Sequence, residues 1–161
     1  MNKLVMNTFR STKVKDGYSC CFRQWKATHS HCSTLHGYSP SVEFTFEGEL
    51  DEYNWVSDFA AFKHAKSLIG DKTPNQWLSW LLDHTVLVAQ DDPEMGHFVG
   101  LDAIGVIQLR IVPAIGAERF AEFIGRTIQD WVQRETNGRV RLPSCKFMEH
   151  NKNSATYYFN I

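Results

Sequence analysis

The chain has 161 residues, of which 43% are apolar and 13% aromatic, enough for one globular domain with a sizeable core. Its 17 basic and 18 acidic side chains leave a formal net charge of -1, which argues against disorder and against binding nucleic acid through a general basic field. No apolar run reaches the roughly 18 residues of a membrane-spanning helix, and residues 1–15 lack the apolar core of a secretory signal. We expect a soluble cytoplasmic protein with four reduced cysteines.

The first part of the chain predicts two strands. Residues 1–16 are interpreted as a polar N-terminal arm, either mobile or packed on a partner subunit, and residues 17–161 as a single domain. Residues 18–28 are rich in aromatic residues and cysteine and are interpreted as a strand. Residues 41–47 alternate apolar and polar side chains, the period-two pattern of a half-buried strand.

Two helices follow in the prediction. Residues 59–68 carry apolar side chains at helical spacing, and Gly70 can end the helix. A second helix begins after Thr73, with Pro74 at its first position and Gln76 three residues after the cap. This is a capping box, with proline placed where its missing N–H costs nothing.

The last part of the chain predicts a strand at 106–112, a long amphipathic helix at 117–134 and a strand at 140–148; residues 156–159 are a candidate for one further short strand outside this set. The order β-β-α-α-β-α-β indicates an α+β fold with an antiparallel sheet. A doubly wound parallel sheet is disfavoured, because no glycine-rich strand-to-helix turn of the dinucleotide-binding type occurs.

Three of the seven histidines lie within eight residues. In an extended segment, side chains at i and i+2 project on the same side, so His29 and His31 could bind one ion. His36 would then complete a catalytic-type zinc site with an open fourth position. Two alternatives stay open: a solvated polar turn, or a structural zinc cluster that also uses Cys20, Cys21 or Cys32.

Four further residues could carry chemistry. An isolated small thiol is usually an inert core residue, but a cation beside Cys32 would favour its thiolate, which can act as a base or nucleophile. Asp83 and His84 are either an ordinary helix terminus or a carboxylate that orients an imidazole. Glu149 is either a surface residue or a carboxylate at a strand end, able to accept two parallel hydrogen bonds from an amidine-like heterocycle edge.

Several of these motifs together resemble the 6-pyruvoyl- and 6-carboxy-tetrahydropterin synthase family, over about residues 20–158. Trp25-x-Ala27-x-His29 and the following Cys32-x-x-Leu35-His36-Gly37 resemble the family's aromatic-x-Ala-x-His strand and its Cys-x-x-x-His-Gly-His motif. Other matching segments occur in the same order as in the family: Val56-Ser57-Asp58-Phe59, Leu82-Asp83-His84, Pro113 with Glu118, and Lys146-Phe147-Met148-Glu149.

The resemblance implies a tunnelling fold, in which a four-stranded antiparallel sheet carries two main helices on one face. It also implies that three subunits close a twelve-stranded barrel and that two such rings stack as a homohexamer, with active sites at subunit interfaces. In the family, three histidines hold a catalytic zinc ion. Here Tyr38 stands where the third of those histidines is expected, so His31 would replace it, or the metal would be weakly bound or absent.

The implied activity is the zinc-dependent conversion of 7,8-dihydroneopterin triphosphate to 6-carboxy-5,6,7,8-tetrahydropterin, with loss of acetaldehyde and triphosphate, in queuosine or preQ0 biosynthesis. By the same resemblance, Cys32 abstracts a proton, the Asp83–His84 pair forms a second acid/base relay, and Glu149 anchors the pterin. The alternatives are the pyruvoyl-forming synthase and a non-catalytic pterin- or purine-binding protein on the same scaffold.

Overall fold

The alternating segment 41–47 forms strand β4 (Ser41–Gly48), whose three apolar side chains are fully buried. The computed structural model that places it describes residues 7–160. β4 lies at the centre of an antiparallel sheet of order β1-β4-β7-β8, with β1 at Phe9–Lys15, β7 at Val140–His150 and β8 at Asn153–Tyr158. The predicted α+β architecture with a four-stranded antiparallel sheet is confirmed.

Strand β1 lies inside the segment interpreted as a polar arm. Its side chains are exposed or half-buried, and within residues 7–160 β1 is an edge strand with one neighbour, β4. A polar edge strand gives no hydrophobic alternation, so sequence patterns do not reveal it. Residues 1–6 of the predicted arm lie outside the described residues.

A second, mixed sheet has the order β3-β2-β5-β6. β2 (Cys20–Phe22) is antiparallel to β3 (His36–Tyr38) and parallel to β5 (Thr85–Ala89), which is parallel to β6 (Leu109–Val112). The strand predicted at 18–28 is wrong beyond Phe22, because the chain leaves the sheet there and turns repeatedly up to residue 30. β5 was not predicted: it is buried along its whole length and therefore has no alternation.

Helix α2 (Pro74–Leu82) begins with the predicted capping box. The Thr73 hydroxyl accepts a hydrogen bond from the Gln76 amide at 3.3 Å, and the Gln76 side chain accepts one from the Thr73 amide at 2.9 Å. Helix α1 (Ala61–His64) is one turn long, shorter than the predicted 59–68. Helix α3 (Met95–Ala103) was not predicted, since most of its side chains are exposed and only Phe98 is buried.

The long helix α4 (Ala117–Glu135) packs on β7 and β8. Its predicted apolar stripe is fully buried except for Phe123, which is half-buried. Phe120 contacts both Phe22 of β2, with ring centroids 4.9 Å apart, and Phe147 of β7, at 5.1 Å. At Gly125 the helix approaches β7 so closely that a Cβ atom there would lie 2.8 Å from the Cβ of Cys145. α4 thus fixes the two sheets relative to each other. No helix within residues 7–160 is both long enough and apolar enough to span a membrane.

Candidate functional site

Cys32 lies in the loop 23–35 that connects β2 to β3, within a 3-10 turn at His31–Ser33. The Ser30 hydroxyl accepts a hydrogen bond from the Cys32 amide at 3.2 Å. The Gln24 amide donates a hydrogen bond to the Cys32 carbonyl at 2.7 Å, which closes the base of the loop. These two hydrogen bonds hold the backbone of Cys32. The residue is half-buried, so it is partly accessible to solvent.

The Asp83–His84 pair lies between the end of α2 and the start of β5. Asp83 Oδ1 is 3.1 Å from His84 Nδ1 and also accepts a hydrogen bond from the Ser19 amide at 3.2 Å. His84 has a φ of +56°, and its amide donates to the Ser19 carbonyl at 2.5 Å, so the turn is tied to the residue before β2. The imidazole is 77% exposed. Asp83 can therefore hold Nδ1 protonated and leave Nε2 free to exchange a proton.

Tyr38, at the end of β3, has a phenol on which two of the predicted residues act electrostatically. Burial, followed by the negative charges of Glu149 and Cys32, raises the pKa of the Tyr38 phenol to about 12. The phenol therefore stays neutral at pH 7 and can donate a hydrogen bond. Its ring stacks on Phe22, with centroids 3.8 Å apart and planes within 3° of parallel. Tyr38 is half-buried and lies three residues before Ser41, whose register partner Met148 directly precedes Glu149.

Strand β2 lies between this group and the Asp83–His84 pair. Cys20 is the register partner of Tyr38 on one side and of Thr85 on the other. Burial, followed by Cys21 and the charge of Asp83, raises the pKa of the Cys20 thiol to about 12. Cys20 is therefore a neutral core thiol, and the two parts of the predicted site lie on opposite sides of it.

The three predicted zinc ligands do not converge. His29 and His31 are exposed and line one shallow recess. His36 lies on β3, where its Nδ1 is 2.9 Å from the carbonyl oxygen of Thr34. Within residues 7–160 there is no group of three histidine, cysteine, aspartate or glutamate side chains placed to hold a metal ion, which also leaves the structural-cluster alternative without support. The physical reason is local. The prediction assumed an extended chain at 29–31, but this segment turns, so the strand geometry from which the i, i+2 pairing was inferred does not occur there.

Sequence reasoning missed the ion pair between Arg23 and Asp92. Arg23 follows β2, and Asp92 lies in the acidic loop after β5, with Arg23 Nη2 2.6 Å from Asp92 Oδ1. The two residues are 69 positions apart, so no local pattern could have joined them. Beside them, a cavity of about 480 Å³ is bordered by Trp25, Lys26 and Arg119, among other residues.

Comparison with known proteins gives a family and a set of solved structures. The family model described as 6-pyruvoyl tetrahydropterin synthase matches residues 11–160. Comparison with curated protein sequences gives no match.

Among solved structures, an uncharacterized protein from Wolinella succinogenes is 18% identical with a TM-score of 0.75, covering 96% of this chain and 99% of the other. The 6-pyruvoyl tetrahydropterin synthase of Caenorhabditis elegans is 17% identical with a TM-score of 0.63, covering 96% and 98% of the two chains. That of Plasmodium vivax is 14% identical with a TM-score of 0.62, covering 95% and 99%. At these identities the likeness establishes a shared fold.

Proposed function

Because this chain belongs to the 6-pyruvoyl tetrahydropterin synthase family and has its tunnelling fold, we propose that it is a lyase that acts on 7,8-dihydroneopterin triphosphate. The product is 6-carboxy-5,6,7,8-tetrahydropterin, with loss of acetaldehyde and triphosphate, and serves queuosine or preQ0 biosynthesis. The observation that carries the proposal is the placement of the candidate residues around β3. Cys32 lies in the loop that leads into β3, and Glu149 follows Met148, the register partner of Ser41 just after β3. The hydrogen-bonded Asp83–His84 pair lies on the other side of the adjacent strand, β2.

Glu149 binds the pterin in this proposal. It lies on β7 at an irregularity of the strand, between Met148, which pairs with Ser154 of β8, and His150, which pairs with Asn153. A carboxylate accepts two parallel hydrogen bonds from the N–H groups of an amidine-like edge, which the pterin ring presents. The neutral hydroxyl of Tyr38 supplies a donor in the same region, where a second negative charge would repel Glu149.

Cys32 and the Asp83–His84 pair move protons. Cys32, in its thiolate form, takes a proton from the substrate side chain and becomes the neutral thiol; the side chain is half-buried and presented by a backbone-fixed turn. The imidazole of His84 exchanges a second proton through Nε2, while Asp83 fixes the tautomer and balances the imidazolium charge. The donor set found in residues 7–160 does not fit a three-ligand zinc site, so none of these roles passes through a metal ion.

The family resemblance also implies a homohexamer of two stacked three-subunit rings. In the first sheet, β1 and β8 each have one neighbour within residues 7–160, so each presents a free edge to which another strand can pair. Light scattering after gel filtration measures the assembly, and a monomeric protein would contradict this part of the proposal.

The test of function is incubation with dihydroneopterin triphosphate, with triphosphate and acetaldehyde measured separately. We expect both products from the native protein, loss of turnover in Cys32→Ala, and retained turnover in Cys21→Ala, a matched half-buried thiol. Triphosphate without acetaldehyde would instead identify the pyruvoyl-forming reaction.

A second candidate, a non-catalytic pterin- or purine-binding protein, is favoured by Tyr38 at the position of a family zinc ligand. It predicts that pterin binds in a Glu149-dependent manner without turnover, which calorimetry with Glu149→Gln measures. Turnover that survives Cys32→Ala would refute the proposed base, and absence of both turnover and pterin binding would refute both functions.

A further inference from the structure

We propose that Arg23 and Asp92 are positioning residues that hold the Cys32 loop against the second sheet. The inference rests on the proposed function for its effect on turnover, whereas its effect on the loop itself is independent of the reaction.

The contacts form a fork between two loops. Arg23 Nε donates to Asp92 Oδ2 at 2.9 Å, and Nη2 donates to Oδ1 at 2.6 Å, so one edge of the guanidinium engages both carboxylate oxygens. The remaining nitrogen, Nη1, donates to the Ser33 carbonyl at 3.4 Å. The planar guanidinium thus joins the residue after Cys32 to the loop after β5.

The pair is built into the protein rather than lying on its surface. The Asp92 side chain is 2% exposed and that of Arg23 is 21% exposed. Burial opposes the charge of Asp92, but hydrogen bonds from Arg23 and from the Glu94 amide hold its pKa below the usual range. Bidentate pairs of this kind fix geometry as well as supplying energy, and lysine cannot reproduce them.

The segment at Arg23 holds the backbone of the loop at two successive carbonyl groups, those of Cys32 and Ser33. The Gln24 amide, directly after Arg23, donates to the Cys32 carbonyl at 2.7 Å, while Arg23 itself reaches the Ser33 carbonyl. If the fork is lost, residues 31–34 keep only their local hydrogen bonds and the bond from Gln24. A catalytic group that is displaced by a small distance loses rate without losing substrate binding.

The experiment compares Arg23→Lys with Glu47→Gln, which weakens the half-buried contacts of Glu47 to Arg10 and Arg141 in the other sheet. Hydrogen exchange of residues 31–34 and the alkylation rate of Cys32, both followed by mass spectrometry, report on the loop directly. We expect both rates to rise about tenfold in Arg23→Lys and to stay unchanged in Glu47→Gln. The kcat for pterin turnover should fall about tenfold with little change in KM.

If Arg23→Lys does not fold, the double variant Arg23→Met with Asp92→Leu removes both charges together, leaves no unpaired buried ion and should show the same loop release. Wild-type exchange and alkylation rates in either folded variant would overturn the proposal, as would an equal rise in Glu47→Gln. Faster exchange and alkylation combined with turnover that survives Cys32→Ala would support the positioning role and refute only the proposed base.

Discussion

Two glycine-to-alanine substitutions in helices are expected to have opposite effects on stability. Gly125 of α4 faces β7, where a Cβ atom would lie 2.8 Å from the Cβ of Cys145 and 3.4 Å from the ring of Phe159. Gly100 of α3 is exposed, and a Cβ atom there would meet nothing within 4 Å. Helix propensity favours alanine over glycine at both positions by about 1 kcal/mol.

The space around the added methyl group decides whether each substitution raises or lowers the free energy of unfolding. At Gly100 only the propensity acts, so Gly100→Ala should raise the free energy of unfolding by about 0.5–1 kcal/mol. At Gly125 the contact with Cys145 is shorter than real Cβ contacts, so α4 must move away from β7. Overpacking of this kind costs about 1–3 kcal/mol, which leaves a net loss of up to about 2 kcal/mol after the propensity gain of about 1 kcal/mol.

Urea unfolding followed by tryptophan fluorescence measures both variants, because Trp131 of α4 is fully buried. An increase in stability for Gly125→Ala would show that the helix and strand have room for a methyl group, and the close packing of α4 on the sheet would be refuted. A loss at Gly100 would instead refute the assignment of that position to the helix interior.

Three further results are expected. Glu149→Gln should weaken pterin binding by about 1.5–3 kcal/mol in calorimetry, the usual value of hydrogen bonds to a charged group, and equal binding would place the pterin elsewhere. Asp83→Asn should lower kcat about 10²-fold or more in the product assay, because the amide can stabilise neither the tautomer nor the charge of His84; unchanged kcat would remove the relay. Asp92 has a folded-state pKa below its unfolded value, so its contribution to stability is complete above the unfolded pKa of about 3.9 and is lost as pH falls through the folded pKa. The stability difference between the native protein and Asp92→Asn should therefore shrink in urea titrations as pH falls below about 4, and a constant difference would contradict a charged Asp92.

Local patterns predicted the elements that have one buried face or a distinct terminus. Strand β4 alternates, helix α2 has a capping box and helix α4 has an apolar stripe, and each lies where the pattern indicated. Strand β5 and helix α3 were missed because one is apolar throughout and the other is mostly exposed, so neither has a periodic contrast.

The candidate site was predictable only in part. Cys32, Asp83, His84 and Glu149 were identified by residue type and family resemblance, and their roles stay predictions. Their arrangement depends on pairings between distant segments, such as Cys20 with Tyr38 and Ser41 with Met148, which no local spacing encodes. The zinc prediction assumed an extended backbone at 29–31, where the chain turns instead. Within residues 7–160 no three side chains are grouped as that prediction required.

The three residues of β2 set a length scale for any ligand. Its two neighbours, β3 with Tyr38 and β5 with Thr85 next to His84, are separated by two inter-strand spacings, about 10 Å. A single heterocyclic ring is too short to contact both Tyr38 and His84 at once, whereas a bicyclic ring with an extended side chain can reach both residues. Any ligand that contacts both residues together must therefore extend across all three strands, β3, β2 and β5.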